Sequence, residues 1–78
     1  MSAASQIFKI LVDRWPSPLV CRTEVEKFTG GAISKEYIAN LDCQGLGPDG
    51  RIRIGRKICY PTESLARWLE KRSVSLDE

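Results

Sequence analysis

Four cationic side chains lie close together in the second half of the chain, where they could pair with anions. They are Arg51, Arg53, Arg56 and Lys57, and the stretch 51–57 contains no acidic residue. Each such cation can neutralise one phosphate of a nucleic acid and release a condensed counterion. The whole chain is only +2, so the position of the charges matters more than their number. The alternative is a solvated hairpin, because edge strands often carry cations that keep them soluble.

A second polar set follows Ser34, which is suited to cap a helix. On the outer side of that helix, Asn40 could make a bidentate pair with adenine. Lys35 could meet a phosphate or a guanine, and Glu36 could accept from cytosine or exclude wrong sequences. Tyr37 could donate its hydroxyl to a phosphate or simply pack. An ordinary solvated helix face is the alternative for this set.

Arg22 is a further candidate for phosphate contact, since it precedes the start of a predicted helix. A solvated surface arginine is the alternative interpretation. Cys43 is expected to face outward on the helix after Ser34, where modification of its thiol could block a contact.

The chain has few of the residue types and spacings that catalysis or metal binding requires. It contains no histidine, the commonest general base and metal ligand. Cys21, Cys43 and Cys59 form no ligand or redox spacing, and we expect them to be reduced and mostly buried. We therefore expect no enzyme activity, no cofactor and no small-molecule substrate.

No apolar run approaches the ~20 residues that cross a bilayer. The early run IFKILV is interrupted by Lys9 and lacks a cleavage site of small residues. We expect a cytoplasmic protein with no membrane partner.

The first predicted element is a helix over residues 6–14, capped by Ser5 and stopped by Pro16. Its apolar residues form two overlapping stripes at helical spacing. A buried strand over residues 7–12 is the competing interpretation. The run 16–18 should be an extended connector.

Two short helices should follow. Thr23 and Glu26 have the spacing of a capping box, Val25 and Phe28 form an inner side, and residues 29–31 end the first helix. The second helix begins after Ser34 and buries one stripe, while Gly45 and then Gly47-Pro48 end it. Its inner residues are Ile38 and Leu41, and its outward residues are Lys35, Glu36, Ala39, Asn40 and Cys43. Two short helices joined by a glycine turn make a helix-turn-helix.

A hairpin comes next, since apolar and polar residues alternate in two runs on either side of Gly55. A two-residue loop would leave the two apolar sets on different faces. The pattern therefore predicts a three-residue loop over 55–57, or a bulge, that pairs Ile54 with Ile58 and Ile52 with Tyr60.

The last predicted element is a helix with Pro61 in its first turn. Leu65, Trp68, Leu69 and the stem of Arg72 form one stripe, which should close the core against the hairpin and the two short helices. We expect Tyr60 and Trp68 to be core residues, and residues 74–78 to be frayed.

Several of these pieces together resemble the excisionase-like helix-turn-helix family, small winged domains related to the DNA-binding part of mercury-resistance-type regulators. The resemblance covers roughly residues 19–72. Its most specific motifs are Ile38-Ala39-Asn40-Leu41, Gly45-Leu46-Gly47-Pro48, Ile54-Gly55-Arg56-Lys57-Ile58 with Tyr60, and Leu65-Ala66-Arg67-Trp68-Leu69.

The resemblance implies a single winged helix-turn-helix domain, mainly α with a small β-hairpin and an extra N-terminal helix. Residues 1–18 would be an extension, 19–72 the domain and 73–78 a tail. It also implies binding of double-stranded DNA, as a small transcription regulator or a recombination directionality factor of phages and integrated elements. The Ser34 helix would enter the major groove, and the Arg56-Lys57 tip would reach the backbone or the minor groove.

The chain differs from that family pattern at Glu36 and Asp42, where basic residues are more usual, and at the short acidic connector Asp49-Gly50. Its first 18 residues lie outside the shared region and could serve a homodimer or cooperative binding on DNA. The alternative function is a protein-interaction adaptor on the same fold. The stripes of the first helix would then bind a partner, and the acids of the Ser34 helix would exclude DNA.

Overall fold

The computed structural model describes residues 3–74 and 76, with side chains from residue 6 onward. The helices in this part of the chain are α1 (Ala3–Arg14), α2 (Val25–Phe28), α3 (Lys35–Cys43) and α4 (Thr62–Lys71). The strands are β1 (Leu19–Cys21), β2 (Ile52–Ile54) and β3 (Lys57–Pro61). They form one antiparallel sheet in the order β1-β3-β2.

The first element is a helix, so the strand interpretation of residues 7–12 was wrong. It begins at Ala3 rather than after Ser5, which places Ser5 inside the helix and not at its cap. Alanine is the best helix former, and two alanines extend the first turn. The helix ends as expected, with Trp15 N donating to Leu11 O at 3.1 Å before Pro16.

Strand β1 was not predicted, because three residues are too few to show a periodicity. It pairs with β3, placing Val20 opposite Tyr60. The proline connector before it is tied to the start of α4, since Thr62 donates from its backbone N to Pro18 O and from its hydroxyl to Ser17 O, both at 2.8 Å.

The predicted capping box does not form. Thr23 lies within a 3₁₀ turn, Arg22–Glu24, and α2 begins at Val25 without a side-chain cap. The chain leaves β1 directly into this turn, so the Thr23 hydroxyl is not at the position from which it could cap α2. The prediction that residues 29–31 end this helix is confirmed. Gly31 N donates to Glu26 O at 2.8 Å and closes a Schellman motif.

The hairpin has a two-residue loop, so the predicted register was wrong. Ile54 lies opposite Lys57 and Ile52 opposite Cys59. Gly55 has a φ of +62° and Arg56 has no positive φ, the combination of a type II′ turn, whose twist suits a hairpin. Both isoleucines therefore lie on the face of the sheet opposite to Tyr60, with Ile52 42% and Ile54 53% exposed.

The core lies between the sheet and the helices. Its fully or nearly buried members are Val20, Val25, Phe28, Ile38, Tyr60, Leu65 and Leu69. Tyr60 is a core residue as predicted. Trp68 packs against this core but is only partly buried. Its indole donates to Leu46 O at 2.9 Å, and the guanidinium of Arg72 lies 5.0 Å from its ring.

Helix α4 begins at Thr62, one residue later than expected, because Pro61 is the last residue of β3. It packs on α1 as well as on the sheet and the short elements, a partner that the sequence analysis did not assign. Of the predicted extension and tail, residues 1–2, 75, 77 and 78 lie outside the described part of the chain. Val74 and Leu76 are exposed. No helix within the described residues has the length and apolarity to cross a membrane.

Candidate nucleic-acid interface

Residues next to α3 in the chain cap the helix at both ends. The Ser34 hydroxyl accepts from Tyr37 N at 3.1 Å, the predicted cap. At the other end Gly45 takes a φ of +75°, and Leu46 N donates to Leu41 O at 2.8 Å. Because Ile38 and Leu41 are buried, the opposite side of the helix is left to solvent. The exposed residues there are Lys35, Glu36, Asn40 and Cys43.

Asp42, one of the two acids that were expected to weaken or exclude DNA binding, lies on the inner side of the helix. It is only 6% exposed, and its Oδ2 accepts from Tyr60 Oη at 2.5 Å and from Arg22 Nη2 at 2.6 Å. Burial, together with the hydrogen bond to Asp42, raises the pKa of Tyr60 to about 12. The phenol therefore stays protonated and continues to donate to the carboxylate.

Arg22 is a member of this buried network. Its Nε donates to Tyr60 Oη at 3.0 Å while Nη2 pairs with Asp42. Desolvation by burial works to lower the pKa of Arg22, but the hydrogen bonds with Tyr60 and Asp42 outweigh it and raise that pKa. The guanidinium predicted to reach a phosphate is thus directed at a carboxylate of α3.

Arg51 extends the network to the base of the hairpin. Its Nη1 lies 3.4 Å from Asp42 Oδ1, and half of its side chain is exposed. Gly47 closes the other side of the carboxylate, because a Cβ at that position would collide with Asp42 Oδ1. The carboxylate thus links α3 to the 3₁₀ turn and to β3, and it lies beside the residue that precedes β2.

A groove of about 530 Å³ separates α3 from the hairpin. Its walls are Ala39 and Cys43 on the helix side and Arg51, Ile52, Arg53 and Ile58 on the hairpin side, with Arg22 and Asp42 also lining it. One flank of α3, at Ala39 and Cys43, and two of the four hairpin cations, Arg51 and Arg53, therefore border the same surface. The exposed residues Lys35, Glu36 and Asn40 are not among the walls of this groove. Arg56 and Lys57 are exposed at the loop and the strand that follows it.

Tyr37, another predicted site residue, lies away from this groove. Its hydroxyl accepts from Arg72 Nη2 at 2.9 Å, and it lines a different groove, between α1, α3 and the end of α4. The Ser34 hydroxyl is already engaged as the helix cap.

Asp42 was not predicted to be a buried anchor, although its position in the sequence is consistent with that role. Asp42 lies four residues after Ile38 and next to Leu41, so helical spacing places it on the inner face. A carboxylate is rarely buried unless it is paired, and the partners Arg22 and Tyr60 are distant in the chain, so the sequence pattern alone did not indicate this role.

Within the described residues, no group of three or more histidine, cysteine, aspartate or glutamate side chains could hold a metal ion. Comparison of the chain with protein-family models, curated proteins and solved structures finds no match in any of the three.

Proposed function

We propose that this chain is a sequence-specific double-stranded DNA-binding protein of the winged helix-turn-helix type, acting as a small transcription regulator or a recombination directionality factor. The observation that carries the proposal is the groove between α3 and the hairpin, because it brings the Ala39 and Cys43 flank of the helix and the hairpin cations Arg51 and Arg53 to one surface. A helix and a ribbon that share a surface can contact one duplex together.

In this arrangement α3 enters the major groove, whose ~12 Å width admits a helix. Asn40, on the exposed side, is the candidate for reading a base; Glu36 lies one turn earlier on the same side, and Lys35 is the first residue of the helix. The exposed cations Arg53, Arg56 and Lys57 contact phosphates or the adjacent minor groove.

The electrostatics of α3 favour this proposal more than the sequence alone did. Asp42 is neutralised by Arg22 and by the nearby Arg51, so it does not present a free carboxylate to a phosphate. Glu36 is then the one exposed acid of α3. Arg22 serves as a positioning residue, and Arg51 can share its half-exposed guanidinium between Asp42 and DNA.

The test begins with selection of bound duplexes from a random-sequence pool, followed by anisotropy titrations on the selected and a scrambled duplex. Asn40→Ala should lose about 1–3 kcal/mol on the selected duplex and little on the scrambled one, whereas Arg56→Ala should weaken both alike. Arg67→Ala is the matched control, since Arg67 is an exposed cation on α4 beside α1 and should leave both affinities unchanged. Failure to enrich any sequence, or equal losses for all three variants, would contradict the proposal.

A protein-interaction adaptor is the second candidate function. It is favoured by an apolar groove of about 400 Å³ between α1, α3 and α4, lined by Ile7, Leu11, Ile33, Tyr37 and Leu69 among others. Less of α1 is left for a partner than the sequence suggested, because Phe8, Leu11 and Trp15 pack against the core. Asp42 is buried and paired, so it does not repel DNA. Absence of DNA binding at low salt, with loss of partner binding in Ile7→Ser, would favour the adaptor.

Cooperative or dimeric binding is part of the DNA-binding proposal, because one short helix and one hairpin bury little surface. Sedimentation of the protein with duplexes that carry one or two selected sites should show a second protein bound more tightly than the first.

A further inference from the structure

Two of the three cysteines lie side by side in the sheet. Cys21 of β1 is the direct antiparallel partner of Cys59 of β3, and the two sulfur atoms are 3.3 Å apart. Both are free thiols. The third thiol, Cys43, is exposed on α3.

The backbone at this pair already meets the requirement for a cross-link. Directly opposed residues in an antiparallel ladder have Cα atoms about 4.5–5.5 Å apart, within the ~4.4–6.8 Å that disulfides span. The sulfurs must approach from 3.3 Å to about 2.05 Å, which side-chain rotation can supply without moving a strand.

The two thiols differ in access. Cys21 is partly exposed and Cys59 is 2% exposed. Both line a groove of about 520 Å³ on the face of the sheet that also carries Ile54, with Trp15 and Leu19 among its other walls. A reagent entering this groove therefore meets Cys21 first.

The chemistry of the pair agrees with this order. The hydrogen bond with Cys21, and next the burial of its own sulfur, raise the pKa of the Cys59 thiol. The raised pKa disfavours the Cys59 thiolate and its sulfur is buried, so the first attack falls to the more accessible Cys21.

We propose that Cys21 and Cys59 form a redox site that a small disulfide, such as oxidised glutathione, converts into an intrachain cross-link. The Cys21 thiolate attacks one glutathione sulfur, breaks the glutathione disulfide and expels the first glutathione. Cys59 then loses its proton, attacks the Cys21 sulfur and expels the second glutathione. Two cysteine thiols are oxidised, one disulfide is reduced, and the two cysteine protons end on two glutathione thiols.

The cross-link would tie β1 to the central strand and enclose the chain from 21 to 59, which contains α2, α3 and β2. Closing so long a segment restricts the unfolded chain and stabilises the folded one. Tyr60 and Ile58 alternate with Cys59 along β3, so the pair lies on the other side of the sheet from Ile58, which lines the groove beside α3. The proposal does not depend on DNA binding.

The experiment uses the Cys43→Ser variant, which removes the exposed thiol and leaves the pair. Folded protein is incubated with oxidised glutathione, and its thiols, intact mass and thermal midpoint are measured. We expect both remaining thiols to be lost, the mass to fall by about 2 Da as two hydrogens leave, and the midpoint to rise by roughly 10 °C or more. A reductant should reverse all three changes.

Single serine variants in the Cys43→Ser background test the order of attack. With Cys59→Ser, Cys21 should gain one glutathione and keep it, because no resolving thiol is present. With Cys21→Ser, buried Cys59 should remain unmodified while the protein is folded. Each variant is first checked for folding by circular dichroism, and peptide mapping of briefly oxidised Cys43→Ser protein gives the same order without those variants.

Retention of both thiols in folded Cys43→Ser, cross-linking only between chains, or oxidation only after unfolding in urea would each overturn the proposal. Initial attachment of glutathione to Cys59 rather than Cys21 would overturn the assigned order.

Discussion

At the scale of single residues, one buried carboxylate organises the candidate interface. Asp42 accepts from Tyr60 and Arg22 and lies beside Arg51. Among the described residues no buried side-chain polar atom lacks a partner, so the network is fully satisfied. A satisfied buried network rigidifies its surroundings, and losing one member leaves the others unpaired.

The contact between Gly47 and Asp42 can be tested by a double-mutant cycle. Gly47→Ala should destabilise the domain by about 1–3 kcal/mol, because the new methyl collides with a carboxylate that cannot move. Asp42→Ala should cost about 2–3 kcal/mol through the hydrogen bonds lost to a charged group. In the Asp42→Ala background the added cost of Gly47→Ala should largely disappear. The measurement is urea denaturation, with an osmolyte present if the double variant is marginal.

Gly30→Ala is the control for this cycle, since nothing lies within 4 Å of a Cβ there but its φ of +66° still strains alanine. Its cost should be the same with or without Asp42. Additive costs for Gly47→Ala and Asp42→Ala would show that the two residues do not interact.

The raised pKa of Tyr60 predicts a loss of stability in base. Its pKa lies at about 12 in the folded chain against an ordinary 10.0, so the folded state holds the proton more tightly than the unfolded state. The resulting stabilisation is complete below pH ~10 and declines as pH rises from there towards ~12. Denaturation across this window should show a steeper decline for the native chain than for Tyr60→Phe. Parallel declines would contradict the buried, hydrogen-bonded phenol.

At the scale of elements, helix α1 is divided between packing and solvent. Phe8, Leu11 and Trp15 contact the core, and the ring of Trp15 meets Phe28 edge-on at 5.3 Å between centroids. Ile7 and Ile10 remain exposed. The two overlapping stripes read from the sequence therefore have different roles, which periodicity could not separate.

The division of α1 predicts unequal effects of neighbouring substitutions. Leu11→Ala should lower the free energy of unfolding by about 2 kcal/mol, since it removes part of the packing around the core. Ile10→Ala, at a position 47% exposed, should change it by no more than about 0.5 kcal/mol. Chemical denaturation of both variants gives the comparison. Equal destabilisation would mean that α1 does not pack in the arrangement described.

At the scale of the whole molecule, a net charge of +2 gives little long-range attraction, so the proposed binding to DNA depends on local contacts. The described chain is compact, with a radius of gyration of 12.3 Å, and two of its exposed hairpin cations, Arg51 and Arg53, border the groove beside α3. The slope of log affinity against log salt then measures how many phosphates the protein contacts.

We expect log affinity to fall with log salt at a slope of about −3 to −4, for three or four phosphate contacts from the hairpin and the start of α3. Lys57→Ala should make the slope shallower by about 1, whereas Arg67→Ala on α4 should leave it unchanged. Anisotropy titrations at four or five salt concentrations measure it. A native slope near zero would remove the electrostatic part of the proposed function.

Local patterns alone determined much of this molecule. The stop at Pro16, the Ser34 cap and the glycine helix ends depend on residues near each other in the chain, and the structure has them as predicted. The sequence also predicted a hairpin around Gly55, because glycine favours a turn between two alternating runs. It predicted the burial of Ile38 and Leu41 from their helical spacing.

Only the tertiary structure decided the rest. β1 exists because β3 offers it a partner, and the hairpin register follows the two-residue turn rather than the pairing of isoleucines. The role of Asp42 depends on Arg22 and Tyr60, which lie about 20 residues away on either side. These outcomes arise from contacts between distant segments, whose geometry a local pattern does not contain.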